Sequence, residues 1–177
     1  NFPKIRTIVI GRDSRPTGSA IEEVFIKTLI STSYDLKVVG CTAAPEIMAY
    51  SKSIGAAFAY ISASHNPIGH NGLKFGLDSG GVLDGDQAKI LINMFKERLK
   101  ADDAEDTALK ILHDFNLKKL QEIQMQTVYV KKEALDAYYN YSKTVITNSA
   151  DLKIQNNFFD KLKKAVTAAK KEGHPIS

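Results

Sequence analysis

Short apolar runs separated by polar loops dominate the first hundred residues. Ile5 to Gly11 reads as a short buried strand that ends at a glycine. After the polar loop Arg12 to Gly18 the spacing changes. Ile21, Val24, Phe25, Thr28 and Leu29 fall on one face of a helix over about residues 19–31. Leu36 to Cys41 predicts a second strand. Pro45 opens a helix reaching about Ser53, since proline is tolerated in a first helical turn. Ala56 to Ser62 predicts a third strand and Leu73 to Leu77 a fourth. Asp84 then caps a helix over residues 85–99. This alternation predicts an α/β fold, a three-layer α/β/α domain around a mostly parallel, four-stranded mixed sheet. The link between the third and fourth strands is too short for a crossover helix, so the fourth strand is expected to be antiparallel.

Beyond residue 100 the pattern weakens. Ala101 to Asp106 is rich in acidic and small residues and reads as a linker. One helix is expected over 132–146 and another, amphipathic, over about 156–171, with Phe158, Phe159, Leu162, Ala165, Val166 and Ala169 on its apolar side. That last face needs a partner surface, and the chain stops just after it. The expected organisation is therefore a domain over 1–148, then a helical segment over 149–177 that begins a truncated second domain.

The formal net charge is +4. It is spread thinly, with 12 Lys/Arg against 9 Asp/Glu in residues 1–100 and 12 against 11 in 101–177. No block of like charge offers a nucleic-acid surface, so none is expected as a partner. No apolar run approaches the roughly 20 residues that span a bilayer, and Asn1 to Arg6 lacks a signal-peptide pattern. The lone Cys41 excludes an intramolecular disulfide and reads as a small buried residue ending an apolar run. A cytoplasmic setting fits this cysteine usage.

The candidate chemistry lies in Tyr60-Ile61-Ser62-Ala63-Ser64-His65-Asn66-Pro67, just past the carboxyl end of the third strand, where open α/β sheets bind ligands. Asn71-Gly72-Leu73-Lys74 follows, and a tight excursion from Ser64 to Gly72 brings the Lys74 ammonium back toward Ser64. A plain hairpin also uses Asn, Pro and Gly, so composition leaves both readings open.

Ser62 to Pro67, followed by Asn71-Gly72-x-Lys74, resembles the active-site loop of the α-D-phosphohexomutases, which include phosphoglucomutases, phosphomannomutases and phosphoglucosamine mutases. Gly11-Arg12-Asp13-x-Arg15 resembles the other signature of that family's first domain, and Gly80-Gly81 sits where the family has a glycine-containing turn. The resemblance covers residues 5 to about 100 and only loosely the remainder. It implies an intramolecular phosphotransferase that interconverts hexose 1-phosphate and hexose 6-phosphate through a phosphoserine and a bisphosphorylated sugar. Ser64 is then the phosphorylated serine, His65 a contact of the reacting groups, and Lys74 an acid–base or electrostatic aid. Arg12 and Arg15 are candidate substrate contacts, with bracing of the Asp13 loop as their structural reading. Glucose or mannose phosphate is the expected substrate, with phosphoglucosamine mutase or a noncatalytic sugar-phosphate-binding module of the same fold as alternatives.

The resemblance also implies Mg²⁺, with Ser64 as its ligand in this domain, and glucose 1,6-bisphosphate as activator. The family's Asp-x-Asp-x-Asp metal loop is absent here. Asp84-Gly85-Asp86 lacks a third aspartate and sits at a helix start, where capping accounts for it. The family's glycine-rich motif with a substrate-contacting arginine is not found in Asn1 to Lys4. The expected partners are hexose phosphates and later domains of the same polypeptide, and this domain alone is expected not to turn over. His70, His113 and His174 share no metal-ligand spacing and read as surface positions.

Overall fold

The computed structural model describes residues 5–173. The expectations for Asn1 to Lys4 and for His174 lie outside the described residues. In chain order the elements are β1 Thr7–Arg12, α1 Gly18–Ile30, β2 Asp35–Cys41, α2 Ala44–Ser53, β3 Ala57–Ile61, β4 Leu73–Gly76, α3 Gly85–Leu99, α4 Ala104–His113, α5 Leu117–Thr147 and α6 Leu152–Lys171. The strands form one sheet in the order β2-β1-β3-β4. β1 pairs parallel with β2 and β3, whereas β3 and β4 are antiparallel. The expected α/β mixed sheet with an antiparallel fourth strand is therefore what the chain forms.

Side chains alternate across the sheet and feed two cores. Val9, Val39, Phe58 and Tyr60 meet Ile47 and Tyr50 of α2 on one face. Ile10, Leu36, Val38 and Ile61 meet Ile26 and Ile30 of α1 on the other. α5 serves both, with Leu120 and Ile123 in the α1 core and Val130 and Ala134 in the α2 core. It runs past the β2 edge, where Lys131 Nζ donates to the Cys41 carbonyl at 2.9 Å and to Oε1 of the buried Glu46 at 2.6 Å. An edge strand that would otherwise offer unpaired backbone groups is thus covered.

Three expectations change. Residues 101–106 are not all linker, because α4 begins at Ala104, and Glu105 and Asp106 stabilise its first turn against the helix dipole. α5 begins at Leu117 rather than near 132. Its early apolar positions, Leu120 and Ile123, are separated by polar residues and show their role only against the α1 core. Cys41 is exposed, not buried. The β1–β2 register shifts between Ile10 and Gly11, which leaves Val39 unmatched, and Gly40 takes φ 70° there, so the strand end turns outward. Asp84 does cap α3, in a reciprocal box with Gln87.

The chain divides into two compact units, Asn1–Tyr138 and Tyr139–Ser177, the division falling inside α5. Within the second, Gln155 is buried and its amide donates to the Ser149 carbonyl at 2.7 Å and to Thr144 Oγ1 at 3.2 Å. Phe158 and Phe159 meet edge to face.

β4 tolerates no side chain at Gly76, because a Cβ there would overlap the Phe58 ring and the Gly81 carbonyl. Gly76→Ala is expected to lower stability by about 2 kcal/mol, the cost of overpacking against backbone. A urea midpoint that falls at unchanged slope is the result expected, and an unmoved midpoint would contradict this packing.

Candidate functional site

The carboxyl ends of β1 and β3 lie side by side, Arg12 being registered with Ile61. The chain leaves β1 toward β2 on one side and reaches β3 on the other, so their exits form the crevice where such sheets bind ligands. Asp13 N donates to the Ile61 carbonyl at 3.0 Å, joining the first loop to the end of β3. The second loop leaves β3 at Ser62 and is closed at its base by Ser62 N donating to the Gly72 carbonyl at 2.9 Å. A Cβ at Gly72 would lie 2.9 Å from the Ser62 carbonyl, so this close approach requires glycine.

Ser64 stands exposed in this loop with φ 52°, in the left-handed region that non-glycine residues rarely occupy. Its amide donates to Ser62 Oγ at 3.2 Å. Its own Oγ accepts from Lys74 Nζ at 2.6 Å. Lys74 lies on β4 opposite Tyr60, so the antiparallel ladder delivers the ammonium back to the serine. His65 is exposed beside Ser64.

Arg15 reaches across from the first loop. Its Nη1 donates to the carbonyls of Pro67 at 2.6 Å and His70 at 3.2 Å, and its Nη2 to those of Ser64 at 2.9 Å and Asn66 at 2.8 Å. Its Nε donates to Asp13 Oδ2 at 3.1 Å, and its backbone amide to Asp13 Oδ1 at 3.1 Å. Burial pushes the Asp13 carboxyl up, but the Arg15 amide, the Ser62 hydroxyl and the Arg15 guanidinium together hold it below its ordinary value of 3.8. Arg12 turns the other way. Its Nε donates to Glu22 Oε2 of α1 at 3.1 Å, and its Nη1 to the Asp13 carbonyl at 3.3 Å. Burial raises the Glu22 carboxyl despite this partner.

Ser64, Lys74 and Arg15 are therefore brought together, with His65 adjoining, whereas Arg12 is engaged by α1. Sequence reading missed Glu22, which lies a helical turn into α1 with no local pattern linking it to Arg12. It also missed the link from Asn71 Nδ2 to Thr17 Oγ1 at 2.6 Å, which ties the end of the loop to the start of α1. The loop's main acceptors are backbone carbonyls, which no side-chain motif can display.

These residues do not make a Mg²⁺ site by themselves. Mg²⁺ requires near-octahedral oxygen ligands. The Asp13 carboxylate is committed to Arg15 through both oxygens, and among the described residues no three His, Cys, Asp or Glu side chains gather in a metal-binding group. Ser64 is the ligand that the family resemblance implies for this loop. Among the described residues no helix is long and apolar enough to cross a membrane.

Residues 2–102 match the family described as phosphoglucomutase/phosphomannomutase, alpha/beta/alpha domain I. The chain is similar to the phosphoglucosamine mutase of Desulforamulus reducens, 32% identical over 149 residues, which cover 84% of this chain and 30% of that protein. It is 37% identical over 92 residues to the phosphoglucosamine mutase of Bacillus mycoides, covering 51% of this chain and 20% of that protein. With the enzyme of the same name from Macrococcus caseolyticus the figures are 36% over 86 residues, 48% and 19%. The chain thus spans about a third or less of the length of these relatives.

The lowered Asp13 carboxyl has a signed consequence. A depressed folded value stabilises the loop above the unfolded value near 3.8 and loses that contribution as pH falls through the folded value. As pH falls below about 4, stability is expected to drop less steeply in Asp13→Asn than in the wild type. Equal slopes in a pH series of urea midpoints would contradict the Asp13–Arg15 contact.

Proposed function

The chain belongs to the phosphoglucomutase/phosphomannomutase family through its domain I, and from that premise we propose that it supplies the phosphoryl-carrying serine of a phosphohexomutase. The observation that carries this reading is the 2.6 Å contact between Lys74 Nζ and Ser64 Oγ at the carboxyl end of β3. A serine hydroxyl leaves poorly as an alkoxide, and an ammonium at that distance neutralises the charge as it develops.

In the proposed cycle a hexose monophosphate hydroxyl attacks phospho-Ser64. The bond from phosphorus to Ser64 Oγ breaks, the bond from phosphorus to the sugar oxygen forms, and Ser64 Oγ takes up a proton. The resulting bisphosphate presents its other phosphate, which returns to Ser64 and releases the isomeric monophosphate. His65 is proposed to contact the reacting groups, where an imidazole can accept the proton of the attacking hydroxyl. Phospho-Ser64 would be one ligand of a bound Mg²⁺, which would supply neutralisation of phosphate charge. Glucose 1,6-bisphosphate is proposed to recharge Ser64. Residues 149–177 are proposed to begin a second domain, and a cytoplasmic setting belongs to the same reading.

The named relatives are phosphoglucosamine mutases, which favours glucosamine phosphate as substrate. Glucose or mannose phosphate is the competing reading, supported by the description of the family.

In the full-length polypeptide, kcat/KM measured with glucosamine, glucose and mannose 1-phosphates is expected to be highest for glucosamine 1-phosphate. A preference for either other sugar supports the competing reading. Ser64→Ala is expected to lose about three orders of magnitude or more in turnover on whichever sugar is used, and Lys74→Met about two to three. Undiminished turnover by Ser64→Ala, or no turnover by the wild type on any of the three, would overturn the mutase reading and leave a noncatalytic binding module.

A further inference from the structure

Resting on the reading of Ser64 as the phosphoryl carrier, we propose that Arg15 is a positioning residue for the phosphoserine loop and not a ligand of the substrate phosphate. A guanidinium has five N–H donors and no acceptor. In Arg15 all five are in use, one on Asp13 and four on the carbonyls of Ser64, Asn66, Pro67 and His70. Its side chain is only 12% exposed. Binding a phosphate would withdraw donors from these acceptors and pull the guanidinium from its carboxylate.

What those four bonds accomplish is specific to the loop. Residues 64–70 are all exposed, and two short turns, Asn66 N to the Ala63 carbonyl and His70 N to the Pro67 carbonyl, are the backbone bonds within it. The segment has no apolar side chain in the core to hold its path. Arg15 binds its carbonyls from one side and so fixes the peptide that follows Ser64, next to the left-handed φ that aims Ser64 Oγ at Lys74. Asp13 keeps the guanidinium plane in place from the other side. A lysine in its place brings three donors on a flexible stem and no planar fork, so charge alone does not replace it.

The test is Arg15→Lys in the full-length polypeptide, read as kcat and KM separately. Misplacing a reacting group by about 1 Å costs on the order of 10²-fold. A loss in kcat of about 10- to 100-fold with KM for the hexose phosphate kept within about twofold is expected. A KM raised about tenfold or more with kcat retained, or no change in either, would overturn the proposal. Hydrogen exchange of the present chain supplies a reading that needs no sugar. The bonded amides of Ser64, Asn66 and His70 are expected to exchange at least about tenfold faster in Arg15→Lys, while those of β1 and β3 hold their rates. Unchanged loop exchange overturns the clamp even if the enzyme proves to be a mutase, and faster loop exchange upholds it even if the wild type lacks mutase activity. Should Arg15→Lys not fold, Asp13→Asn removes the carboxylate behind the guanidinium. It is expected to show the same split, a fall in kcat at preserved KM, and a selective rise in KM would overturn the proposal.

Discussion

Four carbonyls of one exposed loop converge on a single guanidinium, and the geometry at the mouth of the sheet depends on that convergence. A left-handed backbone at a residue with a Cβ is costly, of the order of 1–2 kcal/mol, so Ser64 holds φ 52° only because its surroundings over-determine it. Arg15 fixes the carbonyl side of Ser64 and Ser62 Oγ receives its amide. Lys74 then meets an oxygen whose place is already set. Without the guanidinium, the β3–β4 ladder still returns Lys74 to the mouth of the sheet, but the carbonyls of Ser64, Asn66, Pro67 and His70 lose their shared donor.

The sheet makes this convergence possible. β1 and β3 are parallel neighbours, so Asp13 and Ser62 leave the same carboxyl end of the sheet. β4 turns back antiparallel, so a residue ten positions beyond Ser64 returns beside it. A parallel fourth strand would carry its lysine to the site only after a long crossover. α5 sits far from this chemistry in sequence, yet its Lys131 bonds the end of β2 and the buried Glu46, which holds the edge of the same sheet that presents the loops.

Much of residues 5–100 was legible because each strand there is a compact apolar run bounded by turn residues, and the short link before Leu73 dictated the direction of β4. The pairing of Ser64 with Lys74 was legible as well, since the Asn71-Gly72 turn fixes how far the chain can travel. The first half of α5 was not. Leu120, Ile123 and Val130 are buried while Met125, Val128 and Tyr129 among them are exposed, and which apolar positions are covered is decided by the packing of the helix and not by local sequence. Cys41 misled for a related reason, because a bulge at Gly40 inverts the alternation that a straight strand would keep. The Arg12–Glu22 pair and the carbonyl acceptors of Arg15 are products of tertiary approach and leave no trace in spacing.

Whether Ser64 carries a phosphoryl group is read by mass spectrometry of the full-length protein, purified without phosphatase treatment. A phosphate on the peptide containing Ser64, lost when the protein is incubated with a hexose monophosphate, is the expected result. A Ser64 that is unmodified, and stays so in the presence of glucose 1,6-bisphosphate and Mg²⁺, would contradict it.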